Sequence, residues 1–222
     1  MPEPVTMIGL AAGLGTLTIH LARRFFEVAK EVVDVVVGFI ALVLSLPLLA
    51  VCAIVIKLSS KGPVFFRQAR VGRSGKHFMM VKLRTMYADA EGGGSDNGAL
   101  WTEDDDPRVV PACRWMRRSH IDELPQLINV IKGEMSLIGP RPERPEIVAE
   151  LEKVCPDFNK RHLVRPGITG LAQIRNGYES SVEGAVRKLK ADLEYIEKRT
   201  WSTELRILAG TVPKLFGDDK AR

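Results

Sequence analysis

The hydrophobic positions of this chain form one long unbroken block and several shorter periodic stretches. The block is Val35–Ile56, VVVGFIALVLSLPLLAVCAIVI, 22 residues without a charge. Roughly 20 apolar residues cover the hydrocarbon core of a bilayer, so it predicts a membrane helix. Pro47 stands near its middle, preceded by Ser45 and Leu46, at a point where an i→i−4 hydrogen bond is lost and a helix can bend sharply. Basic residues flank both ends, with Arg23, Arg24 and Lys30 before and Lys57 and Lys61 after, so the charge asymmetry that orients a crossing is missing. Two readings follow. Hydropathy alone favours a straight crossing with a mild proline kink; the flanking charges favour a helix broken at Pro47, whose arms of roughly 15 Å each enter one leaflet and return to the same side. Residues 1–24 are apolar and glycine-rich, with Glu3 where a secretion signal would carry Lys or Arg, and predict a loosely packed helical extension with a weak Gly9-xxx-Gly13 match.

After the block the period changes to two. Residues 62–86 read as a β-hairpin turning at Gly72-Arg73-Ser74-Gly75, with Met79, Val81 and Leu83 expected on one face and Lys82 and Arg84 on the other. Residues 87–108 are polar, with three consecutive glycines and the Asp104-Asp105-Asp106 run, and predict a mobile loop, a lid candidate. Helical spacing returns at Ile121, Leu124, Leu127, Ile128 and Ile131, with Pro125 admissible only in a first turn and Lys132-Gly133 as the stop. A helix over 147–154 ends before Pro156. Arg165-Pro166-Gly167-Ile168 fits a type II turn that would display Arg165. Two further helices follow, Ser180–Lys198 with a Ser180/Glu183 capping box, and a final one striped by Leu205, Leu208, Val212, Leu215 and Phe216. Both are expected to pack on the core, although the last, with Trp201 and Lys214, also suits a membrane interface.

Charge changes the picture where it clusters. The net charge is +5, which suits a partner bearing phosphates. Eight Lys or Arg and no acid lie in 57–84, directly after the apolar block, where they can meet anionic headgroups; for Lys82 and Arg84 a solvated strand face is the plain alternative. Aromatic residues make up only 6%, leaving few stacking platforms for nucleic acid. Cys52, Cys113 and Cys155 show no paired spacing and the four histidines are scattered, which favours a reducing compartment and argues against zinc.

Asp122 and Glu123 stand at the start of the helix over 121–131, where the dipole and free N–H groups favour ionised carboxylates. An acidic first turn has that effect in many helices without any chemistry. Arg114, Arg117 and Arg118 precede the pair, and Arg141 and Arg144 follow it across a Gly-Pro-Arg-Pro turn. Cations on both sides of an acid pair suit a polyphosphate, with Arg forks on its oxygens and a carboxylate on Mg²⁺.

Four stretches together, SHIDELPQLINVIKGEMSLIGPRPERP, VKLRTM, VRPGITGLAQI and the proline-interrupted apolar block, resemble the bacterial sugar transferases, monotopic phosphoglycosyl transferases that begin surface-glycan assembly on undecaprenyl phosphate. The resemblance covers residues 24–216. It implies transfer of a sugar 1-phosphate from a UDP-sugar to undecaprenyl phosphate with release of UMP. By motif position it implies Asp122 as nucleophile, forming an aspartyl-phosphosugar intermediate, and Glu123 as a Mg²⁺ ligand. It further implies Lys82, Arg84, Arg117, Arg141 and Arg165 as phosphate holders, Glu143, Gln173 and Arg175 as possible substrate contacts, and a re-entrant membrane helix bent at Ser45-Leu46-Pro47, where the family often has Ser-Pro.

The expectation is therefore an α+β, mainly helical protein: an extension at 1–24, a re-entrant membrane helix at 25–60, and a cytoplasmic catalytic domain at 61–222 lying on a bacterial inner membrane. Its expected partners are a UDP-sugar, undecaprenyl phosphate and membrane lipid, without nucleic acid. Two rivals stand beside it. A glycosyltransferase moving only the sugar would release UDP; a membrane-tethered basic module binding nucleic acid or anionic lipid would leave the acid pair unexplained.

Overall fold

The computed structural model describes residues 4–87, 106–176 and 182–217, with side chains for 21–87, 106–175 and 184–214. Most of the polar loop, including Asp104 and Asp105, lies outside the described residues, as do Ser180 of the capping box and the side chains of Gly9, Gly13, Glu183, Leu215 and Phe216.

The apolar block lies within one helix, α1, Pro4–Ser59, which continues through Pro47 and crosses the expected boundary at residue 24. Leu21–Ser59 is long and apolar enough to cross a membrane. The Ser45 hydroxyl donates to Leu42 O at 2.8 Å, the back-bond that often accompanies bending beside a proline. One side of α1 lies on the rest of the protein over much of its length. Before Pro47, Gly38 sits where a Cβ would come 3.2 Å from Val130, which lets the helix approach closely. After Pro47, Leu49, Cys52 and Ile56 pack with Leu83, Val110, Cys113 and Met116. The opposite side exposes Phe39, Ile40, Val43, Leu44, Val51 and Ile54, among others.

Buried charges tie α1 down. Lys30 Nζ lies 3.2 Å from Asp34 Oδ1 and 2.8 Å from Glu204 Oε2, and the Ser136 hydroxyl is 2.7 Å from Asp34 Oδ2. Such groups are tolerable out of water only when paired, as these are.

The hairpin forms as expected. β1 (Phe65–Val71) pairs antiparallel with β2 (His77–Leu83), with Arg67 opposite Val81 and Gln68 opposite Met80; Ser74 and Gly75 take positive φ in the turn. The faces differ from expectation. Phe78 and Met80 are buried with Val130 and Met135, and Lys82 shares their face, whereas Met79 is exposed. Strand alternation is satisfied either way; what selects the face is that Val130, Met135 and the acid pair lie on the Lys82 side.

Short helices follow: α2 (Arg114–Arg118), a 3₁₀ stretch Ile121–Gln126 and α3 (Leu127–Ile131). The expected single helix is thus split. Pro125 has no N–H to return to the Ile121 carbonyl, so the first turn closes with tighter bonds such as Glu123 N to His120 O at 3.0 Å. Gly133, at φ +74°, ends α3 as expected. Asn129 on α3 receives Val81 N and donates to Met79 O, completing the free edge of β2.

β3 (Ser136–Ile138) pairs parallel with β4 (Gly167–Thr169). Gly167 does not take the positive φ that a type II turn needs. Its role is close approach: a Cβ there would stand 2.0 Å from Gly139 N. α4 (Pro145–Val154) and a 3₁₀ stretch Pro156–Leu163 precede β4; α5 (Leu171–Asn176), α6 (Val182–Glu197) and α7 (Trp201–Gly217) follow it. Of the expected stripe on α7, Leu205, Leu208 and Val212 are exposed, while Glu204 and Ile207 face inward. The fold is mostly helical with two small sheets.

Candidate active site

Asp122 and Glu123 lie side by side in the 3₁₀ turn, 8% and 7% exposed, so neither is the solvated acid of an ordinary first turn. His120, before them, takes a left-handed backbone (φ 55°), a conformation uncommon for a side chain-bearing residue. Three elements meet at Glu123. Lys82 of β2 places Nζ 2.8 Å from Oε1, and Arg141, from the Gly-Pro-Arg-Pro segment after β3, donates from Nη2 to Oε1 at 2.6 Å and from Nη1 to Oε2 at 3.1 Å. The fork geometry is the bidentate pairing that makes Arg selective for carboxylates. Among the described residues, the Asp122 carboxylate takes no hydrogen bond.

The two acids consequently titrate apart. Burial pushes the Asp122 carboxyl up, to about 6, against the pull of Lys82, with Glu123 adding to the rise and Arg117 and Arg141 opposing it. Burial also acts to raise Glu123, but Arg141 and Lys82 outweigh it and hold that carboxyl well below the usual carboxylate range. Burial pushes the Lys82 ammonium down, with Glu123 opposing. Neighbouring cations outweigh the burial of Glu123 and restrain that of Asp122.

Of the five expected phosphate holders, three gather here. Arg117 acts electrostatically on Asp122 and points Nη1 toward the Thr85 hydroxyl at 3.4 Å; Lys82 and Arg141 sit on Glu123. Arg84 is elsewhere engaged: its Nη1 donates to Lys61 O at 2.5 Å and its Nη2 to Ser60 O at 3.0 Å, closing the exit from α1. Arg84 stands just past the end of β2, and the loose carbonyls after a helix C-terminus are a ready acceptor set. Arg165 pairs with Glu31 of α1 at 2.8 Å. Glu143 lies between Arg70 (3.9 Å) and Arg161 (3.8 Å), Gln173 donates to Ile168 O at 2.9 Å, and Arg175 pairs with half-buried Glu194. None of these four contacts the acid pair. Asp106 is bound by Arg108.

The sequence pattern that defines bacterial sugar transferases matches residues 25–218. The chain belongs to the bacterial sugar transferase family. Among its relatives, the Caulobacter vibrioides UDP-glucose:undecaprenyl-phosphate glucose-1-phosphate transferase is 41% identical over 90% of this chain and 74% of its own length. The Komagataeibacter xylinus undecaprenyl-phosphate glucose phosphotransferase is 44% identical over 86% of this chain and 37% of its own. The Aeromonas hydrophila UDP-N-acetylgalactosamine-undecaprenyl-phosphate N-acetylgalactosaminephosphotransferase is 38% identical over 94% and 48%. The chain thus spans about half or less of the length of several relatives, and the family match, residues 25–218, includes the part of α1 from residue 25 on, the hairpin and the acid pair.

Mg²⁺ is usually held by one or two carboxylates and completed by substrate phosphates and water. Among the described residues no group of three or more His, Cys, Asp or Glu could cage a metal, so an all-protein site is not available. Two adjacent carboxylates fit the substrate-completed kind. Glu123 Oε2 accepts only the longer Arg141 bond and keeps a lone pair.

Proposed function

We propose that this chain is an undecaprenyl-phosphate sugar-1-phosphate transferase working through a covalent aspartyl intermediate. The names of the relatives support the substrate classes. The observation that carries the chemistry is the asymmetry of the pair: Glu123 is gripped by Lys82 and Arg141, while Asp122 stands buried among the same cations with no ion pair to any of the described residues.

In the first step an Asp122 oxygen attacks the β-phosphorus of the UDP-sugar. The bond from that phosphorus to the bridging oxygen breaks, and UMP leaves with the electron pair. In the second, an oxygen of the lipid phosphate attacks the same phosphorus; the acyl phosphate bond breaks and the carboxylate is regenerated. A carboxylate nucleophile divides one displacement between two anions into two steps. Lys82, Arg117 and Arg141 neutralise the diphosphate and the charge that builds on its equatorial oxygens. Glu123, held ionised by its cations, fixes Arg141 and Lys82 in place beside the nucleophile. Glu123 would hold Mg²⁺, which would supply further charge neutralisation on the phosphoryl oxygens.

Both halves of α1 lie on the same domain, Lys30–Gly38 on one side of Pro47 and Leu49–Ile56 on the other. A helix that crossed a bilayer would leave one of those halves behind. This supports a monotopic seat in one leaflet of the inner membrane, bent at Ser45-Leu46-Pro47, with the catalytic domain on the cytoplasmic face; the exposed Leu205, Leu208 and Val212 of α7 would then rest at the same interface.

The test is incubation of the membrane-reconstituted protein with UDP-glucose or UDP-N-acetylgalactosamine, Mg²⁺ and undecaprenyl phosphate. UMP should appear, and without acceptor the protein should gain the mass of one phosphosugar. Release of UDP, or normal turnover by Asp122→Asn, would end the proposal. Chelation of Mg²⁺ should suppress UMP formation; full activity after chelation removes the metal from it.

A further inference from the structure

Arg141 stands between Pro140 and Pro142, neither of which has an N–H to donate. The segment is therefore held by its carbonyls, and four in succession are taken by donors from three elements: β4, the 3₁₀ stretch Pro156–Leu163 and β1. Gly167 N donates to Pro140 O at 2.9 Å, Arg161 Nη2 to Arg141 O at 2.8 Å, Arg70 Nη1 to Pro142 O at 3.0 Å, and Val71 N to Glu143 O at 3.0 Å. The bond to Arg141 itself comes from the most deeply buried of the donor side chains. Arg161 is only 4% exposed and stands on the 3₁₀ stretch Pro156–Leu163. The same Nη2 lies 2.8 Å from Oδ2 of Asp192, on α6 and 1% exposed. The pair is a salt bridge buried on both sides. The Phe158 ring lies under the guanidinium, 4.8 Å from its carbon.

A buried ion pair is a weak source of stability, because desolvation offsets most of its attraction, and an apolar pair of equal volume often serves the fold as well. What an apolar pair could not supply is a charged donor aimed at the Arg141 carbonyl. We propose that Arg161, held by Asp192, is a positioning residue for the transferase reaction: it fixes the backbone of Arg141 and thereby seats that guanidinium on Glu123 beside the nucleophile. The link runs from α6 through the 3₁₀ stretch to the acid pair. It rests on the function proposed above.

The experiment is a double-mutant cycle on UMP release. Asp192→Asn keeps the shape and removes the charge; in the otherwise unaltered protein it should lower kcat about tenfold while KM for the UDP-sugar moves less than about twofold. In an Arg141→Lys background, where there is no fork to position, the same change should cost less than about twofold. Equal losses in both backgrounds, accompanied by equal drops in Tm, would mean that Asp192 serves only the fold, and would overturn the proposal. If Arg141→Lys shows no turnover, the guanidinium N–H resonances of ¹⁵N-arginine-labelled protein decide. The Arg141 signal, assigned by its absence in Arg141→Lys, should lose protection from solvent exchange in Asp192→Asn, and its persistence unchanged refutes the link. Normal turnover by Asp122→Asn would defeat the proposed function alone, because the resonance measurement reads the Asp192 to Arg141 connection without catalysis.

Discussion

The nucleophile proposed here should report its own charge. Asp122 must be ionised to attack, and burial places its carboxyl at about 6, so the first step should lose rate as pH falls through that value. The neighbours set the position of this limb with opposite signs: Lys82 pulls the carboxyl down and Glu123 pushes it up. Lys82→Met should therefore move the limb to higher pH and Glu123→Gln to lower pH. A unit charge at about 4 Å in an effective dielectric near 20 is worth about 4 kcal/mol, less at longer range, and one pH unit corresponds to about 1.4 kcal/mol. Shifts of about one unit in each direction are expected. The assay is the burst of UMP in the absence of lipid acceptor, which keeps the titration of the acceptor phosphate out of the profile, read as rate against pH from about 4.5 to 8. Amplitudes will fall in both variants; the midpoints carry the argument. Limbs that stay together, or that move the same way, refute the electrostatic account. Stability carries the opposite sign. The folded carboxyl lies above its unfolded value of about 3.9, so Asp122 adds stability that is complete below that value and is lost as pH rises through about 6. Relative to Asp122→Asn, the protein should gain Tm as pH falls across that window.

Two other perturbations separate fold from chemistry. Arg84→Met leaves the carbonyls of Ser60 and Lys61 without their buried donor and should cost about 1–3 kcal/mol in denaturant unfolding, while KM for the UDP-sugar stays within about twofold; a large KM change would return Arg84 to the substrate site. Gly167→Ala puts a methyl 2.0 Å from Gly139 N, where both neighbours are backbone and cannot yield. It should destabilise by more than about 3 kcal/mol, and a folded variant of normal Tm would show that the β3–β4 approach is looser than described.

Sequence alone determined the features that depend on neighbours along the chain. The charge-free block, the hairpin with its Gly72–Gly75 turn, the stop at Gly133 and the existence of three later helices, expected over 147–154, 180–198 and along the Leu205–Phe216 stripe and found at Pro145–Val154, Val182–Glu197 and Trp201–Gly217, follow from local periodicity and local breakers. The acid pair and Arg141 were also legible, because their motif is contiguous. Tertiary structure decided which cations meet the acids. Lys82 and Arg84 are two residues apart and share a face by alternation, yet one ends on Glu123 and the other on the carbonyls after α1, since β2 runs past one partner and then the other. Arg161 and Asp192 are 31 residues apart in number and meet only because α6 folds back over the 3₁₀ stretch. The outward stripe of α7 and the inward Glu204 were likewise set by what lies beneath that helix: a buried Lys30 on α1. Periodicity says that a helix has two sides; only packing of distant segments, and the requirement that each buried charge find a partner, chooses which side is in.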